Sequence, residues 1–112
     1  MVEHFDLAQV ADERAQRGQR YLEFVRKPAL TVGLYVLAAG SEDPQQPHTE
    51  DEVYHVVRGR ATIRVGDEDQ PVGPGSVVYV AALVPHRFHT IEEDLEILVF
   101  FAPAQHTNRP AS

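Results

Sequence analysis

Between Tyr21 and Ala102 the chain consists of short runs rich in β-branched and aromatic residues, and nearly every gap between them holds glycine, proline or a cluster of acids. In order the runs are YLEFV, LTVGLYVLA, VYHVV, ATIRV, SVVYV, RFHTI and LEILVFFA. Seven short strands at close spacing predict an all-β sandwich or barrel and argue against a sheet alternating with helices. One helix signature precedes them, in HFDLAQVADERAQRG. There Asp6 is placed to cap, Gln9 to cap reciprocally, and Phe5 and Val10 to form a hydrophobic staple, while Gly18 ends the segment as a left-handed cap. The helix is then a peripheral cover for one edge or end of the sheet. With 112 residues the chain holds one domain and one modest core. The expected organisation is a helix and lead-in over residues 1–20, a β-barrel over 21–102 and a C-terminal tail over 103–112, loose from about His106. Gly66 to Gln70, GDEDQ, reads as a hairpin tip.

Charge and composition limit the partners. A net charge of −7 repels phosphate, so neither nucleic acid nor an anionic membrane is expected as a partner, and a small molecule is. There is no cysteine, which removes disulfides and thiolate zinc sites and points to the cytoplasm as the expected location. No eighteen-residue apolar run and no signal-like N-terminus are present, so a soluble, unexported protein is expected.

The stretch QPHTEDEVYHVVRG, Gln46 to Gly59, concentrates metal-ligand chemistry at the entry to a strand. Side chains alternate along a strand, so Gln46, His48, Glu52, Tyr54 and Val56 share one face and Asp51, Val53, His55 and Val57 the other. By parity Glu50 belongs with the first set, although the acidic TEDE run leaves room for a turn or bulge there. One histidine and one carboxylate on a strand are more often a solvated sheet edge than a site. A second cluster is needed, and PGSVVYVAALVPHRFH supplies one: a Pro-Gly turn, an apolar strand, then a second turn that delivers His86.

At these two segments the chain resembles the cupins, over roughly Thr31 to Phe101. The first cupin signature has the form G-x5-H-x-H-x3-E-x6-G, matched here by His48, Glu52 and Gly59. The second, G-x5-P-x-G-x2-H-x3-N, is matched loosely by Gly66, Pro74, Gly75 and His86. The resemblance implies a double-stranded β-helix, the jelly-roll cupin barrel. It also implies a divalent metal ion (Fe, Mn, Ni or Zn) held by Gln46, His48, Glu52 and His86. Gln46 stands where the family has its first histidine, and Thr90 where it has asparagine. Two imidazoles and one carboxylate form a facial triad that leaves positions open on a six-coordinate ion, with Gln46 a weak fourth ligand or a hydrogen-bond partner of metal-bound water.

Among the remaining residues, Tyr35, Leu37, Phe88 and Phe100 are expected to line the barrel, with Tyr54 as a further lining aromatic. His55 and His89 face away from the site, Arg58 and Arg87 are solvent-exposed, and His4 and His106 lie near the ends. The polar loop Gly40 to Pro47 aims Gln46 and His48 inward. Two function classes follow. One is a metal-dependent, dioxygenase-like enzyme acting on a small organic acid or enolizable compound; the other is a non-catalytic cupin that binds or senses a small molecule. A cupin isomerase or epimerase is a third reading. YLEFVRKPALTVGLYV resembles the N-terminal strands through which small cupins pair, which implies a homodimer.

Overall fold

The computed structural model describes residues 1–44 and 47–108. One helix, α1 (Leu7–Arg17), precedes eight strands. These are β1 (Tyr21–Lys27), β2 (Leu30–Leu37), β3 (Asp51–Arg58), β4 (Ala61–Val65), β5 (Glu68–Val72), β6 (Val77–Val80), β7 (His86–His89) and β8 (Leu95–Ala102). The strands form a five-stranded sheet in the order β1-β2-β8-β3-β6 and a three-stranded sheet in the order β5-β4-β7. All of these pairings are antiparallel. The architecture is that of a jelly-roll β-barrel with one short N-terminal helix, as the sequence predicts.

The core lies between the two sheets, and strand alternation puts it there. On β3, Glu52, Tyr54 and Val56 are buried, with more accessible residues between them. On β8, Leu95, Ile97, Val99 and Phe101 point the same way. Ile63 of β4 and Phe88 of β7 meet them from the smaller sheet, both fully buried. Removing this much apolar surface from water is the main stabilising term for so small a domain.

The helix begins where the Asp6 carboxylate accepts a hydrogen bond from the Ala8 amide at 2.9 Å. It ends at Gly18, whose left-handed φ of 66° lets its amide bond back to the last turn. Val10 packs on Leu22 and Leu34, so α1 covers the outer face of the β1-β2-β8 region, away from the barrel interior. Phe5 stacks edge-on against Phe24, with ring centroids 5.4 Å apart.

Three sequence expectations change. The sequence predicts seven strands, and the additional one is β5, placed by sequence in the hairpin tip. The turn is confined to Gly66 and Asp67, because Glu68 already pairs with Val65. Four of the five β5 residues are exposed, so the strand has no alternating pattern to reveal it. Phe100, expected inside, is 36% exposed on the outer face, where it sits opposite Val53 and Val32. The chain after β8 is also tied down through Asn108. The Ala104 amide bonds to the Pro28 carbonyl at 3.2 Å, and the His106 and Asn108 amides bond to the Glu50 carboxylate at 2.7 and 2.9 Å.

Two glycines are dictated by close approach. A Cβ on Gly33 of β2 would lie 2.1 Å from the Tyr21 ring. At Gly59, φ is 93° and a Cβ would come within 2.3 Å of the Asp94 carbonyl. Glycine in a strand often marks such a crossing.

Candidate metal centre

His48, Glu52 and His86 come from three places in the chain and meet inside the barrel, with their ligand atoms within 4.8 Å of one another. Glu52 sits on the inner face of β3, level with Phe101 of β8 and Val80 of β6. His86 opens β7 on the opposing sheet. His48 lies in the loop before β3, and its ring packs edge-on against Phe101 with centroids 4.7 Å apart. Gln46, the fourth residue predicted for this site, lies outside the described residues.

The two ligand-bearing loops are stitched together. The Leu83 amide donates to the His48 carbonyl at 2.7 Å, and the Ala82 amide to the Asp51 carboxylate at 2.9 Å. Leu83 adopts a left-handed φ of 68° to make this crossing, a conformation that costs a leucine about 1–2 kcal/mol. That cost is offset by holding the turn that delivers His86 against the strand that carries Glu52.

Hydrogen bonding settles the tautomer of His86. Its Nδ1 lies 2.8 Å from the Val84 carbonyl, and a carbonyl only accepts, so Nδ1 carries the proton. In the neutral ring Nε2 is then a bare lone pair, 3.0 Å from Glu52 Oε1. The two side chains are each 1% exposed. With that ring neutral, neither Glu52 oxygen nor His86 Nε2 makes a hydrogen bond to any of the described residues. Buried acceptors facing each other are costly unless a proton or a metal cation lies between them. A divalent ion meets that need: two ligand bonds of about 2.1 Å at right angles place their donor atoms about 3.0 Å apart. The residues present therefore fit a metal ion on their own geometry.

Ionisation follows the same surroundings. Burial pushes the His48 pKa below its ordinary value, the carboxylate of Glu52 opposing only in part. Burial also pushes His86 down, but there the Glu52 carboxylate and the Val84 carbonyl outweigh it and hold the pKa above the ordinary value.

A cavity of about 210 Å³ opens on this cluster, lined by Tyr21, Tyr35, Pro44, His48, Glu52, Val99, Phe101 and Gln105. The two phenols differ. Tyr35 donates to Asp43 Oδ1 at 2.6 Å, and the other Asp43 oxygen accepts from the Phe88 amide at 2.9 Å, so that hydroxyl is committed to the frame. The Tyr21 hydroxyl is buried and has no hydrogen-bond partner among the described residues, a state that costs about 1–3 kcal/mol. Both phenols are held well above the ordinary tyrosine range: Tyr21 by burial and then Glu23, Tyr35 by burial and then its bond to Asp43. Both therefore keep their protons at neutral pH.

The other sequence candidates fall into place. Tyr54 is fully buried and packs on Phe88 and His86 with centroids 5.0 and 5.9 Å away, a lining aromatic as expected. Leu37 and Phe88 belong to the core. His89 points outward to Asp69, 2.8 Å away, and exposed Arg58 pairs with Glu96 at 3.0 Å. Glu50 is buried but turns from the ion cluster toward the C-terminal segment. Sequence reasoning missed Tyr21 and Asp43. Gly33 was the available signal for Tyr21, since a glycine inside a strand marks a neighbour crossing close above it.

A family model described as a cupin domain matches residues 33–101, and the chain belongs to the cupin family. It is 52% identical over 101 residues, 90% of this chain and 96% of the other, to the uncharacterized protein SCO3923 of Streptomyces coelicolor. Its fold matches the crystal structure of TT1209 from Thermus thermophilus at a TM-score of 0.74 and 24% identity, over 92% of this chain and 99% of that one. It also matches a variant of salicylate 1,2-dioxygenase from Pseudoaminobacter salicylatoxidans in complex with gentisate. That match has a TM-score of 0.75 at 16% identity, over 88% of this chain and 33% of the dioxygenase. At these identities the structural likeness is one of fold.

Proposed function

We propose that this cupin holds one divalent ion, Fe, Mn, Ni or Zn, on His48, Glu52 and His86. In this reading a small organic acid or enolizable molecule binds beside the ion and is converted in a dioxygenase-like reaction. The observation that carries the reading is the set of three buried acceptor atoms, Glu52 Oε1 and Oε2 and His86 Nε2, that have no hydrogen-bond partner among the described residues and lie beside a cavity. When bound, the ion supplies Lewis acidity and open positions for a chelating oxygen. The chain supplies the rest. The Val84 carbonyl fixes the His86 tautomer, Phe101 orients the His48 ring, and Val99 and Phe101 keep the wall apolar, which strengthens polar contacts made inside. Gln46 would add a neutral amide near the ion. The gentisate-bound dioxygenase of the same fold lends support to an acid as substrate.

The committed Tyr35 phenol supports a second reading, ligand binding without turnover. Neither phenol is a base at neutral pH, which weighs against a proton-shuffling isomerase or epimerase. A chain without cysteine supports a cytoplasmic site of action, and the charge of −7 supports a small-molecule partner. The edge position of β1 supports pairing of two copies as a homodimer; light scattering at the monomer mass of 12.5 kDa would rule that out. Elemental analysis of tag-free protein, followed by oxygen uptake of the Fe(II)-loaded form with small enolizable acids, tests the main reading. Metal with oxygen uptake supports it. Metal with an acid-dependent rise in melting temperature but no uptake favours binding alone, and absence of metal affinity removes the metal-dependent reading.

A further inference from the structure

We propose that the Tyr21 hydroxyl is the donor that fixes an oxygen of the bound ligand, so that the cavity reads an oxygen-rich small acid at two ends, the ion at one and this phenol at the other. The inference rests on the metal-site reading above. Tyr21 opens β1, and its ring lies across β2 at Gly33, where a Cβ would come within 2.1 Å of it. Tyr35 holds it from the side, edge-on, with centroids 6.1 Å apart. The ring is thus fixed by packing, and Tyr21 lines the same cavity as His48 and Glu52.

The two phenols of the cavity make the case by contrast. Tyr35 donates a hydrogen bond to Asp43, whereas the Tyr21 hydroxyl has no hydrogen-bond partner among the described residues. Buried hydroxyls are ordinarily hydrogen-bonded, and one left bare beside a cavity calls for a partner that enters from outside. That partner must accept, because the phenol keeps its proton. A carboxylate or carbonyl oxygen qualifies; an ammonium group or a plain hydrocarbon does not. Pro44, Val99 and Phe101 make much of the remaining wall apolar, with Gln105 the further polar side chain on it. At about 30 Å³ per water the cavity holds about seven waters, room for a small acid.

The test compares wild type with Tyr21→Phe, which removes only the unbonded hydroxyl. Both are loaded with Mn(II) and titrated calorimetrically with oxalate and with pyruvate. Mn(II) affinity is expected to agree within about twofold, while the variant binds the acids about tenfold or more weakly, the scale of a lost hydrogen bond to a charged group. The metal-free variant is expected to melt at the same temperature or higher, since no hydrogen bond within the described residues is lost. Equal acid affinity in the two proteins overturns the proposal and leaves the metal site standing. So does a wild type that binds Mn(II) and neither acid. A variant that melts lower and loses Mn(II) in parallel makes the hydroxyl structural and overturns it too. A wild type that takes up no Mn(II) sinks the metal-site reading itself, a result distinct from the others.

Discussion

Glu50 and Glu52 stand two residues apart at the start of β3, and each is 1% exposed, yet their surroundings are opposite. Glu50 accepts from the Thr49 hydroxyl and from the amides of His106 and Asn108. Those donors outweigh its burial and hold its pKa below the usual carboxylate value. Glu52 accepts from none of the described residues while His86 is neutral, and then faces its Nε2 lone pair. The two phenols repeat the contrast, Tyr35 satisfied and Tyr21 bare. The saturated groups here hold the scaffold; the unsaturated ones around this cavity are those assigned above to an ion and a ligand, and burial alone does not tell the two kinds apart.

Substitutions that cross this divide should have effects of opposite kind. The largest effect is expected from Glu52→Gln. Metal content, read by elemental analysis after loading, should fall from about one ion per chain to less than about a tenth of that, because one of three ligands is gone. The metal-free variant should nonetheless melt no lower than wild type, since the new amide N–H can donate to His86 Nε2 where two acceptors stood. A clear drop in its melting temperature would make Glu52 a structural carboxylate like Glu50.

Glu50→Gln should do the reverse. Loss of the charge that holds two backbone amides is expected to cost about 2 kcal/mol in urea unfolding, with metal uptake unchanged. If its metal content fell instead, the division between the two acids would fail. Tyr35→Phe removes a satisfied hydroxyl and leaves Asp43 short of a donor, so a loss of about 1–2 kcal/mol is expected by the same measurement. Tyr21→Phe, by contrast, should cost nothing in stability.

The smallest effect belongs to the surface. Asp69→Asn interrupts contacts to His89 and Arg64, but the group is solvent-exposed and no change in melting temperature is expected near neutral pH. The sign of any residual effect is fixed. The His89 bond holds the Asp69 pKa below its ordinary 3.8, so its contribution is present above that value and is lost as the pH falls below it. A difference between the two proteins that grew on acidification would contradict this.

Much of this was legible in the chain. The strand runs, the helix with its Asp6 and Gly18 caps, and the two segments carrying His48, Glu52 and His86 could be read directly, because periodicity and turn residues are local signals. β5 was not, since an exposed strand such as EDQPV is defined by its ladder to β4 and not by its own pattern. Phe100 was assigned to the wrong face because β8 is apolar on both sides, with Leu98 under the helix and Phe101 in the core. The tail from His106 looked loose because its anchor, Glu50, lies more than fifty residues away.

The sequence by itself determined which elements form and which side chains are chemically able to bind an ion, because helix caps, strand alternation and donor type all act over a few residues. Only the tertiary structure decided which of those side chains are left unsatisfied. That depends on which distant groups arrive beside them: Val84 and Glu52 at His86, Asp43 at Tyr35, and, among the described residues, no hydrogen-bond partner at the hydroxyl of Tyr21. Hydrogen-bond satisfaction is a property of neighbours in space, and spacing along a chain does not encode it.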